Sequence, residues 1–124
     1  MDPIADLLST IKNCQMARKN QATFFYSKLK EEVLKILAKR SVIDRFEVKK
    51  DGTKANIIVY FKPGRKIYHL QRISKPGRRV YQRCRDLRMP PGLGFQIIST
   101  PRGVVDGREA KKLGLGGEVI CEIR

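Results

Sequence analysis

The segment from Leu93 to Arg124 limits the fold more than any other part of the chain. Leu93, Phe95 and Ile97 alternate as a half-buried strand requires, and the strand runs into Ile98-Ser99-Thr100-Pro101-Arg102-Gly103, a polar loop that a core would not absorb. Asp106 then opens a short helix, with Glu109 placed three residues on as a capping-box partner, Leu113 as its apolar anchor and Gly114 as a left-handed terminator. Gly116-Gly117 turns the chain into a last strand, where Val119, Cys121 and Ile123 fall on one face and Glu118, Ile120 and Glu122 on the other. Strand, polar loop, short helix and strand in that order predict a sheet whose strand ends carry hydroxyls to a surface.

The preceding residues read as a separate unit. Asp2 caps a helix with Pro3 at its first position, and Ile4, Leu7, Leu8 and Ile11 form one apolar stripe. Thr10, Lys12 and Asn13 fall off that stripe, where a solvated helix face is the ordinary role. Thr23-Phe24-Phe25-Tyr26 has strand composition. Ser27 N-caps a second helix that places Leu29, Val33, Ile36 and Leu37 on one face, with Glu31 and Glu32 near the positive end of the helix dipole. Lys28 and Lys30 are disfavoured in that first turn, so they serve either a partner or solubility. Ile43 to Val48 and Ile57 to Phe61, joined across Asp51-Gly52, predict a hairpin with Ile57, Val59 and Phe61 on its inner face.

Lys62-Pro63-Gly64-Arg65 ends that α-β-α-β-β unit, which puts the expected boundary at residues 1–62 and 63–124. Charge shifts at the same place. Residues 1–61 carry 12 basic and 7 acidic side chains, residues 62–124 carry 15 and 5, and the whole chain has a formal charge of +15. Within the basic half, Tyr68 to Ser74 and Val80 to Arg85 predict two strands joined by Lys75-Pro76-Gly77-Arg78, a Pro-Gly pair suited to a type II turn. The fold class is therefore α+β, the second unit being a mostly antiparallel sheet with one short helix.

A surplus of cations this large predicts a polyanionic partner. No apolar run approaches the roughly 20 residues that span a bilayer, and no signal-peptide pattern opens the chain, so a soluble intracellular protein is expected. Cys14, Cys84 and Cys121 are far apart, lack a CxxC pair and have only His69 as an added ligand, which argues against zinc and against a disulfide framework. His69 has no acid near it in sequence and no carboxylates cluster for phosphoryl transfer, so neither an enzyme nor a cofactor is expected.

Structured RNA is recognised by shape, by backbone contacts and by exposed bases. Lys28, Lys30, Lys75 and Arg78 are candidates for phosphate, Ser99 and Thr100 for a base or ribose, Gly103 for close backbone approach and Tyr81 for packing over a sugar or base. The ordinary alternatives are a plain turn at Ser99–Gly103 and an edge strand guarded by arginines.

Ordered blocks along the chain resemble the family of small-subunit ribosomal protein eight. They are Asp2-Pro3-Ile4-Ala5-Asp6 with Ile11 and Asn13, Ser27-Lys28-Leu29-Lys30, Arg72-Ile73-Ser74-Lys75-Pro76-Gly77 with Arg79-Val80-Tyr81, Gly92-Leu93-Gly94, Ser99-Thr100, Arg108-Glu109-Ala110, Lys112-Leu113-Gly114 and Gly116-Gly117-Glu118. The resemblance implies a primary assembly protein that binds an irregular helix in the central domain of 16S rRNA, with ribosomal proteins five and twelve as neighbours, no homo-oligomer and no membrane. It also implies a place in a cytoplasmic small subunit, with an organellar ribosome as the alternative. RNA-binding roles carry over to Ser99, Thr100, Gly103, Tyr81, Lys75 and Glu118, and more loosely to Asn13, Ser27, Lys28 and Lys30. Glu118 would accept from a base amino group or hold an arginine; a strand-edge charge in water is the other possibility. Pro101 stands where the family has a second serine, Arg124 where bacterial members end in an aromatic residue, and Ala17–Phe25 departs from the pattern. A general double-stranded RNA-binding module or translational repressor is the alternative function, separated from the first by whether one internal-loop helix is preferred over perfect duplex.

Overall fold

A computed structural model describes residues 2–62, 68–87 and 94–124. They form two compact units, Asp6–Tyr68 and Met1–Ala5 with His69–Arg124. Pro63, Gly64 and Arg65 of the expected boundary, and Gly92 and Leu93 of the expected glycine block and strand, lie outside the described residues.

In the first unit, α1 (Pro3–Met16) buries Leu7, Leu8 and Ile11, and its start, which belongs to the other unit, is capped where Asp2 Oδ1 accepts from Ile4 N at 3.2 Å. β1 (Gln21–Phe25) leads into α2 (Lys28–Lys39), whose N-cap Ser27 accepts from Lys30 N at 3.1 Å. The buried face of α2 is Val33, Leu34, Ile36 and Leu37; Leu29, expected on that face, is exposed in the first turn. β2 (Arg45–Asp51) and β3 (Lys54–Tyr60) form the expected hairpin, Gly52 taking the left-handed conformation at φ 62°. The antiparallel sheet runs β1-β3-β2, and Ile57, Val59 and Phe61 are buried along it.

The second unit is organised around β8 (Gly117–Ile123). β6 (Phe95–Thr100) pairs with one edge of it, while β4 (Leu70–Arg72) and β5 (Tyr81–Gln82) pair with the other, at opposite ends. Strands expected over Tyr68–Ser74 and Val80–Arg85 are thus shorter than the sequence pattern suggested. They share one edge of a seven-residue strand, and beyond Gln82 the chain turns into a short 3-10 segment, Cys84–Asp86. Val119 to Ile123 are all buried, so the alternation read from the sequence does not expose one face there. A bulge at Ile120, between the Ile97–Cys121 and Ile98–Val119 pairs, helps explain how both neighbours are covered. Leu87, Ile98, Ala110 and Val119 form a core cluster against which Ile73, Val80 and Val105 pack.

Two local expectations change. The polar loop after β6 contracts to Pro101-Arg102, because Thr100 pairs with Gly103 and Gly103–Asp106 forms a further strand, β7. Two valines between a glycine and a capping aspartate carry too little alternation to announce a strand. Gly77 does not take a left-handed φ, so Lys75–Arg78 is not a type II turn; it is closed by Lys75 N to Arg78 O at 3.0 Å and Arg78 N to Lys75 O at 2.9 Å. α3 (Gly107–Leu113) is capped as expected, with Asp106 Oδ1 accepting from Glu109 N at 2.9 Å and Gly114 left-handed at φ 69°, but Leu113, expected as its apolar anchor, is exposed and Ala110 is the buried apolar residue.

Gly116 and Gly117 let β8 reach its neighbours. A Cβ at Gly117 would collide with the Ser99 carbonyl, and one at Gly116 would sit 2.8 Å from Arg83 Cα and 2.9 Å from Cys84 N. Because backbone blocks both, Gly117→Ala is expected to cost about 2 kcal/mol or more, read from the urea unfolding midpoint. Gly77→Ala, where a Cβ meets nothing within 4 Å, is the matched substitution and should stay within about 0.5 kcal/mol.

Candidate nucleic-acid interface

The glycine pair aligns three of the candidate residues. Tyr81 of β5 pairs with Glu118 of β8, and Glu118 pairs with Ser99 of β6. Paired positions in adjacent strands send their side chains to the same face, so a phenol, a carboxylate and a hydroxyl stand in one row. Tyr81 is 68% exposed, so its ring is held outward by a strand and not folded into the core. Ser99 and Glu118 are half-buried.

Glu118 is the common partner of this row and of the basic turn. Its Oε2 accepts a hydrogen bond from Ser74 Oγ and one from Arg79 Nη1 at 3.1 Å. Ser74, fully buried, in turn accepts from Val80 N at 3.1 Å. Backbone bonds secure both ends of the segment, with Ser74 N donating to Val119 O at 3.1 Å and Val119 N to Val80 O at 2.9 Å. The Lys75–Arg78 turn therefore springs from a fixed base beside the row. Lys75, Arg78 and Arg79 are exposed, and among the described residues Lys75 and Arg78 have no acidic partner. Burial raises the carboxyl pKa of Glu118, but the hydrogen bonds and charge of Ser74 and Arg79 outweigh it and leave the group below its ordinary value.

Thr100 and Gly103 shape the neighbouring hairpin. Thr100 Oγ1 donates to Gly103 O at 2.7 Å and accepts from Arg102 N at 3.2 Å, and the side chain is only 9% exposed. Adjacent strand residues face opposite ways, so this hydroxyl does not join Ser99 in the row. Gly103, at φ 116°, takes a conformation few other residues adopt. Pro101 and Arg102 are the exposed tip. The remaining candidates belong to the other unit. Ser27, Lys28 and Lys30 share the start of α2, with Lys30 Nζ donating to Phe25 O at 3.1 Å and Lys28 exposed. Asn13 is exposed on α1, and its side chain makes no hydrogen bond among the described residues.

Ser74, Arg79 and Arg102 escaped the sequence reading as site residues. Ser74 and Arg79 matter because they hold Glu118 across 44 and 39 residues of chain, a relation no local spacing reveals. Elsewhere in this unit, Arg72 Nε bonds Asp2 Oδ2 at 2.9 Å and its Nη1 bonds Ile120 O at 2.6 Å. Cys121 is fully buried and its thiol is pushed up to about 12 by that burial, so it behaves as a small apolar side chain. Among the described residues no group of three or more metal-ligating side chains occurs, and no helix is long and apolar enough to cross a membrane.

Comparison with known proteins gives this basic, strand-built surface its context. Small ribosomal subunit protein uS8 of Thermus aquaticus is 44% identical over an alignment of 135 positions, covering 98% of this chain and 97% of that protein. The uS8 proteins of Paraburkholderia phymatum and Burkholderia mallei are each 44% identical over 126 residues, covering 98% of this chain and 96% of theirs. The class is thus that of structural constituents of the small ribosomal subunit, not of enzymes. More narrowly, residues 2–124 match the family model for ribosomal protein S8, and the chain belongs to that family.

The depressed pKa of Glu118 predicts a pH effect. A carboxylate more acidic in the folded than in the unfolded state stabilises the fold fully above its unfolded pKa, and that stabilisation is lost as pH falls through the folded value. Between about pH 6 and about pH 3, Glu118→Gln should lose stability less steeply than the parent protein. Chemical denaturation across that range reads the difference, and parallel curves would remove Glu118 from the acid-sensitive groups.

Proposed function

We propose that the protein binds an irregular, internal-loop helix in the central domain of 16S rRNA as a primary assembly protein of the small-subunit platform. The observation that carries this is the Tyr81–Glu118–Ser99 row beside the Lys75–Arg78 turn. A perfect A-form duplex offers phosphates and 2′-hydroxyls at regular intervals but hides its bases, whereas an internal loop turns base faces and edges outward. Tyr81 supplies a stacking surface, and Ser99 a donor and acceptor. Glu118 supplies an acceptor suited to a base amino group, and Lys75 and Arg78 neutralise flanking phosphates. Thr100 and Gly103 hold the hairpin that carries Ser99. Asn13, Ser27, Lys28 and Lys30 add contacts from the first unit, and ribosomal proteins five and twelve are its neighbours in a cytoplasmic subunit.

The uS8 relatives support a ribosomal setting over a general duplex-binding module. Filter binding of the full chain to an internal-loop helix and to a perfect duplex of equal length, in moderate salt, tests the choice. A clear preference for the internal loop is expected, and equal binding would favour the duplex module. Tyr81→Ala should weaken binding to the internal-loop helix by about tenfold, the order found for one lost stacking contact. Lys75→Ala should weaken both RNAs alike and lower the slope of log affinity against log salt by about one.

A further inference from the structure

The outer face of the β1-β3-β2 sheet carries a second row that the assignment above leaves unused. Phe25 pairs with Asn56, and Asn56 pairs with Lys49. Side chains at paired positions share a face, so an aromatic ring, an amide and an ammonium group lie side by side across three strands. Ile57 and Val59 point to the buried face of β3, which leaves Asn56 on the opposite one. Phe25 is 81% exposed, more than any other large apolar side chain described.

Single exposed apolar residues are ordinary on protein surfaces. This ring differs in how it is held and in what surrounds it. Its backbone lies in the β1 ladder, Lys30 Nζ bonds its carbonyl oxygen at 3.1 Å, and Tyr26 N bonds Ala55 O at 3.0 Å. The ring is therefore presented outward by a backbone tied on both sides. The Asn56 amide makes no side-chain hydrogen bond, and Lys49 and Lys28 have no acidic partner, among the described residues. Of the two acids in the adjoining rows, Glu47 is engaged by Arg45 Nη1 at 2.8 Å and by Tyr60 Oη at 3.3 Å, and Asp51 stands opposite Lys54. Surplus charge at this face is positive.

We propose that Phe25, Asn56 and Lys49 form a second RNA contact that takes one unpaired nucleotide. The base stacks on Phe25, its edge meets the Asn56 amide, and Lys49 neutralises the phosphate. Unpartnered cations beside the ring favour a polyanion over an apolar protein surface, which would have to desolvate Lys49 and Asn56 without pairing them. Every base has a π-face, so the contact tolerates many sequences. It rests on the RNA-binding class of the proposed function but uses the other unit and a different RNA element.

The test uses the full chain and a short oligoadenylate carrying one 2-aminopurine. Stacking on Phe25 should quench the probe. Phe25→Ala should abolish that quenching and weaken oligonucleotide binding about tenfold, while Phe25→Tyr keeps both. Lys49→Ala should retain the quenching and lower the salt slope by about one. An unchanged thermal unfolding curve for Phe25→Ala shows that loss of an exposed ring has not altered the fold. Wild-type binding without quenching, or quenching that survives Phe25→Ala, would overturn the proposal. Binding of the internal-loop helix is measured in the same preparations. If it persists while the oligoadenylate contact fails, only this second contact is lost; if both fail, the RNA-binding function goes with it. Should Phe25→Ala bind the oligonucleotide normally yet lose association with the other small-subunit proteins, the face is a protein contact and the proposal is wrong.

Discussion

A half-buried carboxylate that must be satisfied where three strands converge governs the second unit. Gly116 and Gly117 permit the approach, and Glu118 follows them directly, between Tyr81 on one side and Ser99 on the other. A carboxylate in that position needs donors, because an unsatisfied buried acceptor costs on the order of a few kcal/mol. Ser74 and Arg79 supply them from either end of the Lys75–Arg78 turn. The same bonds that satisfy Glu118 therefore fix where the turn leaves the sheet. Removing either glycine would separate the strands, and removing the carboxylate would leave buried Ser74 without its acceptor.

This arrangement also sorts the charges. Acidic side chains of the second unit are mostly engaged within it: Asp2 with Arg72, Glu118 with Arg79, Glu122 with Arg124 at 2.8 Å, and Asp106 with a helix N-terminus. Lys75, Arg78, Arg83 and Arg102 are left facing solvent. In the Arg124–Glu122 pair the arginine is exposed while the carboxylate is buried, so that carboxylate is neutralised at the edge of the core. With these acids engaged, the exposed cations of the turn, of the hairpin tip and of α3 (Arg108, Lys111 and Lys112) have no acidic partner among the described residues, which leaves the surface of this unit strongly basic.

Much of the architecture was legible because it is written in local patterns. The caps at Ser27 and Asp106, the left-handed Gly114, the hairpin turn at Gly52 and the inner stripe of Ile57, Val59 and Phe61 each need only neighbouring residues to specify them. The α+β class follows from their order. What escaped depends on partners distant in sequence. Strands β4 and β5 are short because they share one edge of β8, and β7 exists because β6 offers it a free edge; neither fact resides in their own residues. The candidate site shows the same division. Tyr81, Glu118, Ser99 and the Lys75 turn were identifiable as residue types, but their alignment into a row depends on register, and register was set by the glycines and by pairings across the whole unit. Ser74 carried no local sign of its role.

Under the proposed function, affinity and specificity would fall to different parts of one surface. Cations on the exposed Lys75–Arg78 turn act through charge, which is long-ranged and indifferent to sequence. The row acts through contact, and contact discriminates only if its groups are held in place before the ligand arrives. Thr100 makes the point by its absence from the row. Its hydroxyl is consumed in closing the hairpin with Gly103 and Arg102, which stiffens the strand end that carries Ser99. A hydroxyl free at the loop tip would offer one more hydrogen bond but at the entropic cost of ordering the loop on binding. Held inside the turn, it leaves Ser99 on a strand already in position for the proposed contact.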